Sequence, residues 1–296
     1  MQTSLIKNLC KKKLRINVKE IIDMKKGYNG KIYLIKTDAQ DLVLKFQKAD
    51  FNRLVAETWV LKELADKSIP VPKVLITDFN KHFIIEERLH GSTLKDSKLP
   101  NNKKAEILGE IGANIKKIHQ IKTTGYGYFS KPLVGSAKTW KEHIGNDFYE
   151  HLNILKDKKI INNELISNIE KIYNGKIDLL KFNKPKLLHG DLRFENFIVN
   201  KGKLNGIIDA GEAISGDPAY DLINIYADIT KYDKNDKFGF MESFQSGYGK
   251  INMEKLRFYM LGLLIWDLRF FSIIKKNNKE FNTTLSRVNT IIQNGL

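Results

Sequence analysis

LLHGDLRFENFIVNKGKLNGIIDAGEAISGDPAYDL, residues 187–222, is the stretch that decides the fold of this chain. Asp191 is followed five residues later by Asn196, and Asp209 ends the second of two apolar runs, FIVN and GIID. The segment between these runs predicts a short β-hairpin with its turn at 201–202. Such a hairpin brings Asp191, Asn196 and Asp209 together at one of its edges.

The spacing of these three residues suits phosphoryl transfer. In kinase-like enzymes an Asp takes the proton of the acceptor hydroxyl, an Asn five residues later holds Mg²⁺, and a second Asp after a hairpin contacts metal and phosphates. That reaction depends mostly on positioning and electrostatics, so the protein mainly supplies carboxylates and cations. Each residue alone also has a structural interpretation, as a helix cap, a turn residue or a strand end. Their order and spacing together favour the catalytic interpretation.

The N-terminal part of the chain predicts a nucleotide site. Residues 21–48 show apolar alternation typical of three short strands. Their first connection holds Gly27 and Gly30, which either lie over nucleotide phosphates or form a plain hairpin turn. Lys45 lies in the strand LVLKF and would face solvent unless it has a partner. Glu57, in the helical pattern that follows, is the candidate partner, and an exposed helical Glu is the alternative.

The element pattern predicts two lobes. VLITDFN and HFIIEERL form a hairpin that completes a five-stranded antiparallel lobe with one helix. From Asn101 onward the pattern is mainly helical, with a glycine-rich loop at 125–144 leading into a helix that Thr139 caps. We therefore expect an α+β chain with a nucleotide-binding lobe, 1–87, and a larger helical lobe for catalysis and substrate binding, 88–296.

The segment 86–91 between these lobes has the features of a hinge. Gly91 marks a change of direction after the last strand. In such a hinge the backbone groups of Glu87 and Leu89 would bond the edge of a nucleobase, while apolar side chains flank its ring. Because backbone groups make these contacts, the sequence does not distinguish ATP from GTP.

Composition limits the class of protein. At 296 residues the chain can bury a large core. The single cysteine, Cys10, excludes a disulfide framework and a cysteine-rich zinc site, and it favours a reducing compartment. The N-terminal residues lack the apolar core of a signal peptide. The apolar segment 256–274 is interrupted by three charged residues, which favours a core helix over a membrane span. We expect a cytoplasmic protein with no membrane partner.

The net charge of +16 raises the question of nucleic acid binding. The cations are 43 Lys against 7 Arg, and they are spread through every segment. Nucleic-acid recognition favours Arg forks or basic stripes interleaved with aromatic residues, and the chain has neither at useful density. Compositional bias of the source genome accounts for the lysines, so nucleic acid is not an expected partner. Acidic partners and the oligomeric state stay open.

HGDLRFENF, IIDAGEA and GDPAYDL resemble the motifs of the aminoglycoside phosphotransferase and choline kinase superfamily, whose members share a bilobal protein-kinase-like fold. The similarity is strongest to the hygromycin-type kinases, which carry a comparable acidic residue where Glu212 stands. The resemblance implies roles for five residues: Asp191 as catalytic base, Asn196 and Asp209 as Mg²⁺ ligands, Lys45 as the phosphate-holding lysine and Glu57 as the residue that orients it. Two positions depart from the family pattern. Arg193 and Phe194 stand where family members often have His or Pro; Arg193 either contacts phosphate or pairs with a carboxylate and is left without a role. Ala210 follows the metal-binding Asp where the family frequently has an aromatic residue.

The resemblance also implies a reaction. Only seven residues separate Asp209 from Asp217, which leaves no room for the peptide-binding segment of protein kinases. The expected activity is Mg²⁺-dependent transfer of the γ-phosphate of ATP or GTP to a hydroxyl of a small cationic molecule, an aminoglycoside above all. Glu212, Asp147 and Asp267 are candidates for binding that acceptor. A choline, ethanolamine, homoserine or sugar kinase is one alternative. A non-catalytic nucleotide-binding or nucleic-acid-binding protein is the alternative from another class.

Overall fold

The computed structural model describes residues 3–26, 30–47 and 53–295. The chain divides into two compact units, each assembled from three separate segments. The first unit consists of Met1–Gln120, His189–Ala213 and Asp228–Gly249. The second unit consists of Ile121–Leu188, Ile214–Ala227 and Lys250–Leu296. The lobe boundary expected at residue 87 stays a prediction.

The five-stranded antiparallel sheet predicted for the N-terminal part is present in the first unit. Its strands are β1 (Val18–Lys26), β2 (Gly30–Thr37), β3 (Leu42–Gln47), β4 (Val74–Asp78) and β5 (Phe83–Glu87), in the spatial order β1-β2-β3-β5-β4. The predicted turn before β3 is closed by Thr37, whose Oγ1 donates to the Gln40 carbonyl at 2.5 Å and accepts from the N–H of Gln40 at 3.0 Å. These side-chain hydrogen bonds hold the turn together at the point where the backbone hydrogen bonds of the strand stop.

Two helices flank this sheet. Helix α1 (Thr3–Leu9) was not predicted. It continues into a π-helical turn that begins at Cys10. Ile6 of the helix and Cys10 of the turn are buried in the core of the sheet. Helix α2 (Leu54–Asp66) begins where Gln47 Oε1 accepts from the N–H of Leu54 at 3.1 Å, which satisfies an orphan donor of the first turn. The buried face of α2 is apolar except for Glu57.

The remaining helices are α3 (Asn101–Ile118), α4 (Trp140–Asp157), α5 (Asn163–Gly175), α6 (Pro218–Tyr232), α7 (Phe240–Tyr248), α8 (Met253–Arg269) and α9 (Asn278–Asn294). The remaining strands are β6 (Ser92–Thr93), β7 (Tyr126–Lys131), β8 (Val134–Ala137), β9 (Lys186–Leu188), β10 (Phe197–Asn200), β11 (Lys203–Ile207) and β12 (Ile214–Gly216). The chain is thus α+β, with one antiparallel five-stranded sheet and a mainly helical remainder, as predicted.

The hairpin predicted within the decisive stretch is formed by β10 and β11 of the first unit. Asn200 pairs with Lys203, so the loop has two residues. Lys201 and Gly202 both have positive φ, 50° and 74°, as a type I′ turn requires. This tight turn fixes the register that carries the chain from Asn196 to Asp209.

The second unit contains a four-stranded sheet in the order β8-β7-β12-β9. The segment expected to be a glycine-rich loop is instead largely the hairpin of β7 and β8, which pairs further with β12. Thr139 caps α4 as predicted, since its Oγ1 accepts from the N–H of Glu142 at 3.1 Å. The apolar segment after residue 256 is the buried part of α8. Across the ranges that the structure covers, none of the helices has the length and apolar composition of a membrane-spanning segment.

Candidate active site

Lys45 lies on β3 with its ammonium group turned inward. Its side chain is only 12% exposed, and Nζ lies 2.5 Å from Glu57 Oε1 on α2. Glu57 is itself 1% exposed. The structure therefore brings together the lysine and the glutamate that the sequence paired, and it removes the alternative in which both face solvent.

A second carboxylate, which the sequence analysis assigned to the hinge, contacts the same ammonium group. Glu86 lies in β5, is 3% exposed, and places Oε1 at 3.1 Å from Lys45 Nζ. The strand pattern of the sequence does indicate this contact. An acidic residue inside the apolar run FIIEE needs a buried cation, and Lys45 is the cation that faces it from the neighbouring strand.

The charged groups around Lys45 shift one another's pKa values. Burial lowers the pKa of Lys45, but the carboxylates of Glu57, Glu86 and Asp209 act in the opposite direction, and the pKa lies well above its ordinary value. Burial raises the pKa of Glu57 to about 7, although the attraction of Lys45 opposes it. Burial likewise raises the pKa of Glu86. The lysine is therefore charged at all physiological pH values, and Glu57 takes up a proton more readily than an exposed glutamate does.

This arrangement predicts a pH dependence of stability. Because the folded pKa of Glu57 is raised from 4.5 to about 7, its stabilising contribution is complete below pH 4.5 and is lost as the pH rises to about 7. The change amounts to about 3 kcal/mol in the free energy of unfolding. Urea unfolding of wild type and Glu57→Gln at about pH 5 and about pH 8 measures it. The wild type should lose more stability than the variant, and equal losses would contradict the assignment.

Asp191 and Asn196 lie in one loop and bond each other. Asn196 Nδ2 donates to the Asp191 carbonyl at 2.8 Å and to Asp191 Oδ2 at 2.9 Å. Arg193 Nε donates to Asp191 Oδ1 at 2.7 Å. The partner of Arg193 in this structure is thus the carboxylate that the sequence predicts as the base. Each carboxylate oxygen has a second lone pair, so Asp191 can still accept a proton from a substrate hydroxyl.

His189 ties this loop to the end of β11. Its Nε2 donates to the Ile208 carbonyl at 3.1 Å, and its Nδ1 accepts from the N–H of Asp191 at 3.3 Å. Gly190 has a φ of 82°, and a Cβ there would lie 2.0 Å from the carbonyl oxygen of Glu212. Only glycine fits between these two segments. The HGD motif therefore holds the loop of Asp191 against the segment that carries Asp209.

The same loop has a support that the sequence analysis missed. Asp228, on α6, accepts from the N–H of Phe194 through Oδ2 at 2.8 Å. Burial raises the pKa of this carboxyl, while the bond to Phe194 opposes that rise. Since its partner is a backbone N–H, no side-chain pattern distinguishes Asp228 from an ordinary helical aspartate. It fixes the backbone between Asp191 and Asn196.

One cavity of the first unit is lined by half of the twelve predicted residues. It has a volume of about 210 Å³. Its lining includes Lys45, Glu57, Asp191 and Asp209, together with Gly30. A cavity with one buried ammonium and two aspartates from separate loops can hold a polyphosphate and a cation side by side.

The predicted glycine and hinge residues are placed as follows. Gly27 lies outside the described residues. Gly30 begins β2, and a Cβ there would lie 1.7 Å from the carbonyl oxygen of Phe46, so strand packing alone requires glycine. The N–H of Glu87 donates to the Lys73 carbonyl at 3.0 Å. A base contact at Glu87 would therefore use its carbonyl oxygen, and Leu89 follows β5 as the hinge interpretation expects.

The three acidic residues predicted for the acceptor are not grouped together in one unit. Glu212 lines the cavity of the first unit and forms an ion pair with Arg53. Asp147 lies on α4 of the second unit, half exposed, with Oδ1 3.5 Å from His151 Nε2. Asp267 lies on α8 of that unit. Their roles in substrate binding stay predictions.

The residues suggested for Mg²⁺ offer oxygen ligands from two loops. The nitrogen of the Asn196 side chain is used by Asp191, so a cation would bind through its Oδ1. Asp209 has a left-handed backbone, with φ 65° and ψ 58°. Within residues 3–26, 30–47 and 53–295, no group of three His, Cys, Asp or Glu side chains is placed to hold a metal alone. Two protein oxygens nevertheless fit Mg²⁺, which keeps several waters and binds substrate phosphates.

Comparisons with known proteins identify relatives in sequence and in fold. The hygromycin-B 4-O-kinase of Escherichia coli is 22% identical over 219 residues, which cover 71% of this chain and 62% of that enzyme. The match thus spans less than two thirds of the length of this curated relative. A thermostable mutant of aminoglycoside phosphotransferase APH(4)-Ia, in a ternary complex with AMP-PNP and hygromycin B, superposes with a TM-score of 0.75 at 20% identity, over 99% of both chains.

A second solved structure extends the likeness. The gentamicin complex of APH(2″)-IIa superposes with a TM-score of 0.70 at 21% identity, over 97% of this chain and 96% of that one. Likeness at this level of identity shows the protein-kinase-like fold, as the sequence predicted. The sequence pattern described as the phosphotransferase enzyme family matches residues 20–259. Since this match covers most of the chain, the protein belongs to the phosphotransferase enzyme family.

Proposed function

We propose that this protein transfers the γ-phosphoryl group of ATP or GTP to a hydroxyl of an aminoglycoside. One observation carries the proposal: Lys45, Glu57, Asp191 and Asp209 line a single cavity. A cation, its orienting carboxylate, a base and a second aspartate are the parts that phosphoryl transfer requires. Their intact state is an argument against a non-catalytic protein with this fold.

Asp191 acts as the base in this proposal. The acceptor hydroxyl gives its proton to the Asp191 carboxylate while its oxygen forms a bond to the γ-phosphorus. The bond between that phosphorus and its bridging oxygen breaks, and the nucleoside diphosphate leaves. Arg193 and Asn196 hold the carboxylate through its two oxygens, so its orientation is set before substrate binds.

Lys45 holds the phosphates of the donor in this proposal. Its ammonium group is compact and fully charged, and Glu57 fixes its position from α2. Asn196 and Asp209 would hold Mg²⁺, whose positive charge would stabilise the negative charge on the phosphate oxygens. Glu87 and Leu89 would contact the base of the nucleotide through the backbone.

Support for an aminoglycoside acceptor comes from the relatives. The curated relative is a hygromycin-B kinase, and the two solved structures carry hygromycin B and gentamicin. The net charge of +16 opposes long-range attraction of a cationic acceptor. Local carboxylates must therefore bind it, and Glu212, Asp147 and Asp267 are the proposed candidates. We place the reaction in the cytoplasm, where nucleoside triphosphates are supplied and a single thiol stays reduced.

A coupled assay for nucleoside diphosphate release tests the proposal. ATP and GTP are each supplied with Mg²⁺ and one acceptor from a panel: hygromycin B, gentamicin, choline, ethanolamine, homoserine and simple sugars. We expect release that depends on an aminoglycoside and on Mg²⁺. Release with choline or a sugar alone would contradict the acceptor class. No release with any acceptor, despite nucleotide binding, would favour the non-catalytic alternative.

A further inference from the structure

The ammonium group of Lys45 has two carboxylate partners instead of one. Glu57 reaches it from α2 at 2.5 Å and Glu86 from β5 at 3.1 Å. A single lysine–glutamate pair is sufficient to hold such a lysine in kinase-like enzymes. The second carboxylate is therefore not accounted for by the proposed function.

Strand register explains why Glu86 can reach the lysine. Lys45 on β3 is paired directly with Ile84 on β5. Side chains of directly paired residues project from the same face, and so do residues two apart on one strand. Glu86 is thus the diagonal neighbour of Lys45 on that face, a separation that long side chains bridge. Its position is set by the sheet, independently of α2.

The burial of Glu86 has a cost that a purely structural residue would not carry. Its Oε2 is buried and has no hydrogen-bond partner within the described part of the chain. A buried carboxylate with one unsatisfied oxygen is unfavourable, and an apolar side chain would fill the same space without that cost. Glu57 and Asp209 add further negative charge near it. The contact of its Oε1 with Lys45 is the interaction that offsets this cost.

The geometry of the ammonium group shows what the contact between Glu86 and Lys45 does. An ammonium has three N–H donors. Two of them are directed to Glu57 and Glu86, which lie on different elements of the fold. With two directions fixed, the third is fixed as well. Lys45 lines the cavity, so the remaining direction is available to a ligand there.

We propose that Glu86 is a second positioning residue for Lys45, which together with Glu57 directs the remaining N–H of the ammonium group at a phosphate oxygen of the bound nucleotide. This inference rests on the proposed function, because it assumes that a nucleotide occupies the cavity. Glu86 acts through Lys45 and touches neither the acceptor nor the transferred group. Its loss should therefore affect the nucleotide and leave the acceptor unaffected.

Four variants test the proposal: Glu86→Leu, Glu86→Gln, Glu57→Gln and the double variant Glu57→Gln with Glu86→Leu. Glu86→Leu should weaken nucleotide binding and raise KM for the nucleotide by roughly 10-fold, since one hydrogen bond to a charged group is lost. KM for the acceptor should not change. Glu86→Gln should recover most of the loss, because its amide oxygen accepts from Lys45 in the same place. The double variant should lose more than the product of the single effects.

Glu63→Gln is the matched control. Glu63 lies on α2, partly exposed, where its carboxylate is 3.9 Å from Lys67 Nζ, so its replacement removes one negative charge from the same unit. Thermal unfolding of every variant reports whether it folds. Wild-type nucleotide affinity in a folded Glu86→Leu would overturn the inference. Equal rises in both KM values, with no recovery in Glu86→Gln, would also overturn it and indicate a structural role.

Failure of the inference can be separated from failure of the proposed function. Equilibrium binding of Mg²⁺-ATP and Mg²⁺-GTP needs no acceptor and no turnover. If wild type binds nucleotide but phosphorylates nothing in the panel, the binding series still decides whether Glu86 positions Lys45. If wild type binds neither nucleotide, both the inference and the proposed function are wrong.

Discussion

Replacing Asp191 with alanine is expected to abolish phosphoryl transfer while nucleotide binding survives. The carboxylate is the base of the proposed reaction, and a positioned base contributes about 10²- to 10⁴-fold to a rate. Asp191 lies on a loop and Lys45 on β3, so removal of the Asp191 carboxylate leaves the contact of Lys45 with Glu57 intact. The measurement is nucleoside diphosphate release with the preferred acceptor, beside equilibrium binding of the nucleotide.

Asp191→Asn sharpens this test. The amide has the size of the carboxylate, and its oxygen can still accept from Arg193. The bond from Asn196 Nδ2 to the side chain is lost, but its bond to the backbone carbonyl of residue 191 remains to hold the loop. It cannot take a proton, and its activity should be lost as completely as that of the alanine variant. Asp157→Asn, at the exposed end of α4, is the matched control and should behave as wild type. Turnover at the wild-type rate in either Asp191 variant would sink the assignment.

Replacing Asp209 with asparagine is the second change expected to have a large effect. Asp209 is the proposed carboxylate ligand of Mg²⁺, and its residue has a left-handed backbone with φ 65° and ψ 58°. Asparagine tolerates that conformation best among residues of the same size, so the backbone should not change. Only the negative charge is lost. Turnover should fall by at least about 100-fold, since a metal ion supplies several kcal/mol to such a reaction.

Dependence on the metal distinguishes this effect from general damage. In Asp209→Asn the Mg²⁺ concentration that supports half-maximal nucleotide binding should rise, whereas nucleotide binding without metal should match wild type. Asp209→Ala adds backbone strain at a position with positive φ and should also lower the unfolding temperature. A Mg²⁺ dependence unchanged from wild type in the asparagine variant would show that Asp209 is not a metal ligand.

Much of the fold was predictable because its signals are local. Alternating apolar positions and the turn residues around Thr37 and Gly202 identify strands β1 to β5 and the hairpin of β10 and β11. Helix α1 was missed because the run of lysines at 11–13 directly after it obscures the apolar face, which packs Ile6, Leu9, Cys10 and Leu14 against the core. The strands β7 and β8 were missed because glycine, which is frequent there, predicts a loop.

The candidate site was predictable where spacing along the chain carries the information. Lys45 and Glu57 were paired correctly because each lies at a recognisable point of a strand or a helix. Glu86 was assigned to the hinge because its contact depends on the register of β3 against β5, which a single sequence does not fix. The ion pair of Glu212 with Arg53 and the bond from Phe194 to Asp228 join positions far apart in the chain, and neither leaves a local pattern.

The three-segment composition of the first unit has a consequence for synthesis of the protein. All three members of the lysine cluster, Lys45, Glu57 and Glu86, lie within its first segment, Met1–Gln120, whereas Asp191 and Asp209 lie in the segment His189–Ala213. At ribosomal speeds the residues between these segments take several seconds to synthesise. The proposed phosphate-binding lysine and both of its carboxylate partners are therefore made before the rest of the cavity, which includes Asp191 and Asp209. Nucleotide binding is expected only after the segment His189–Ala213 has been synthesised.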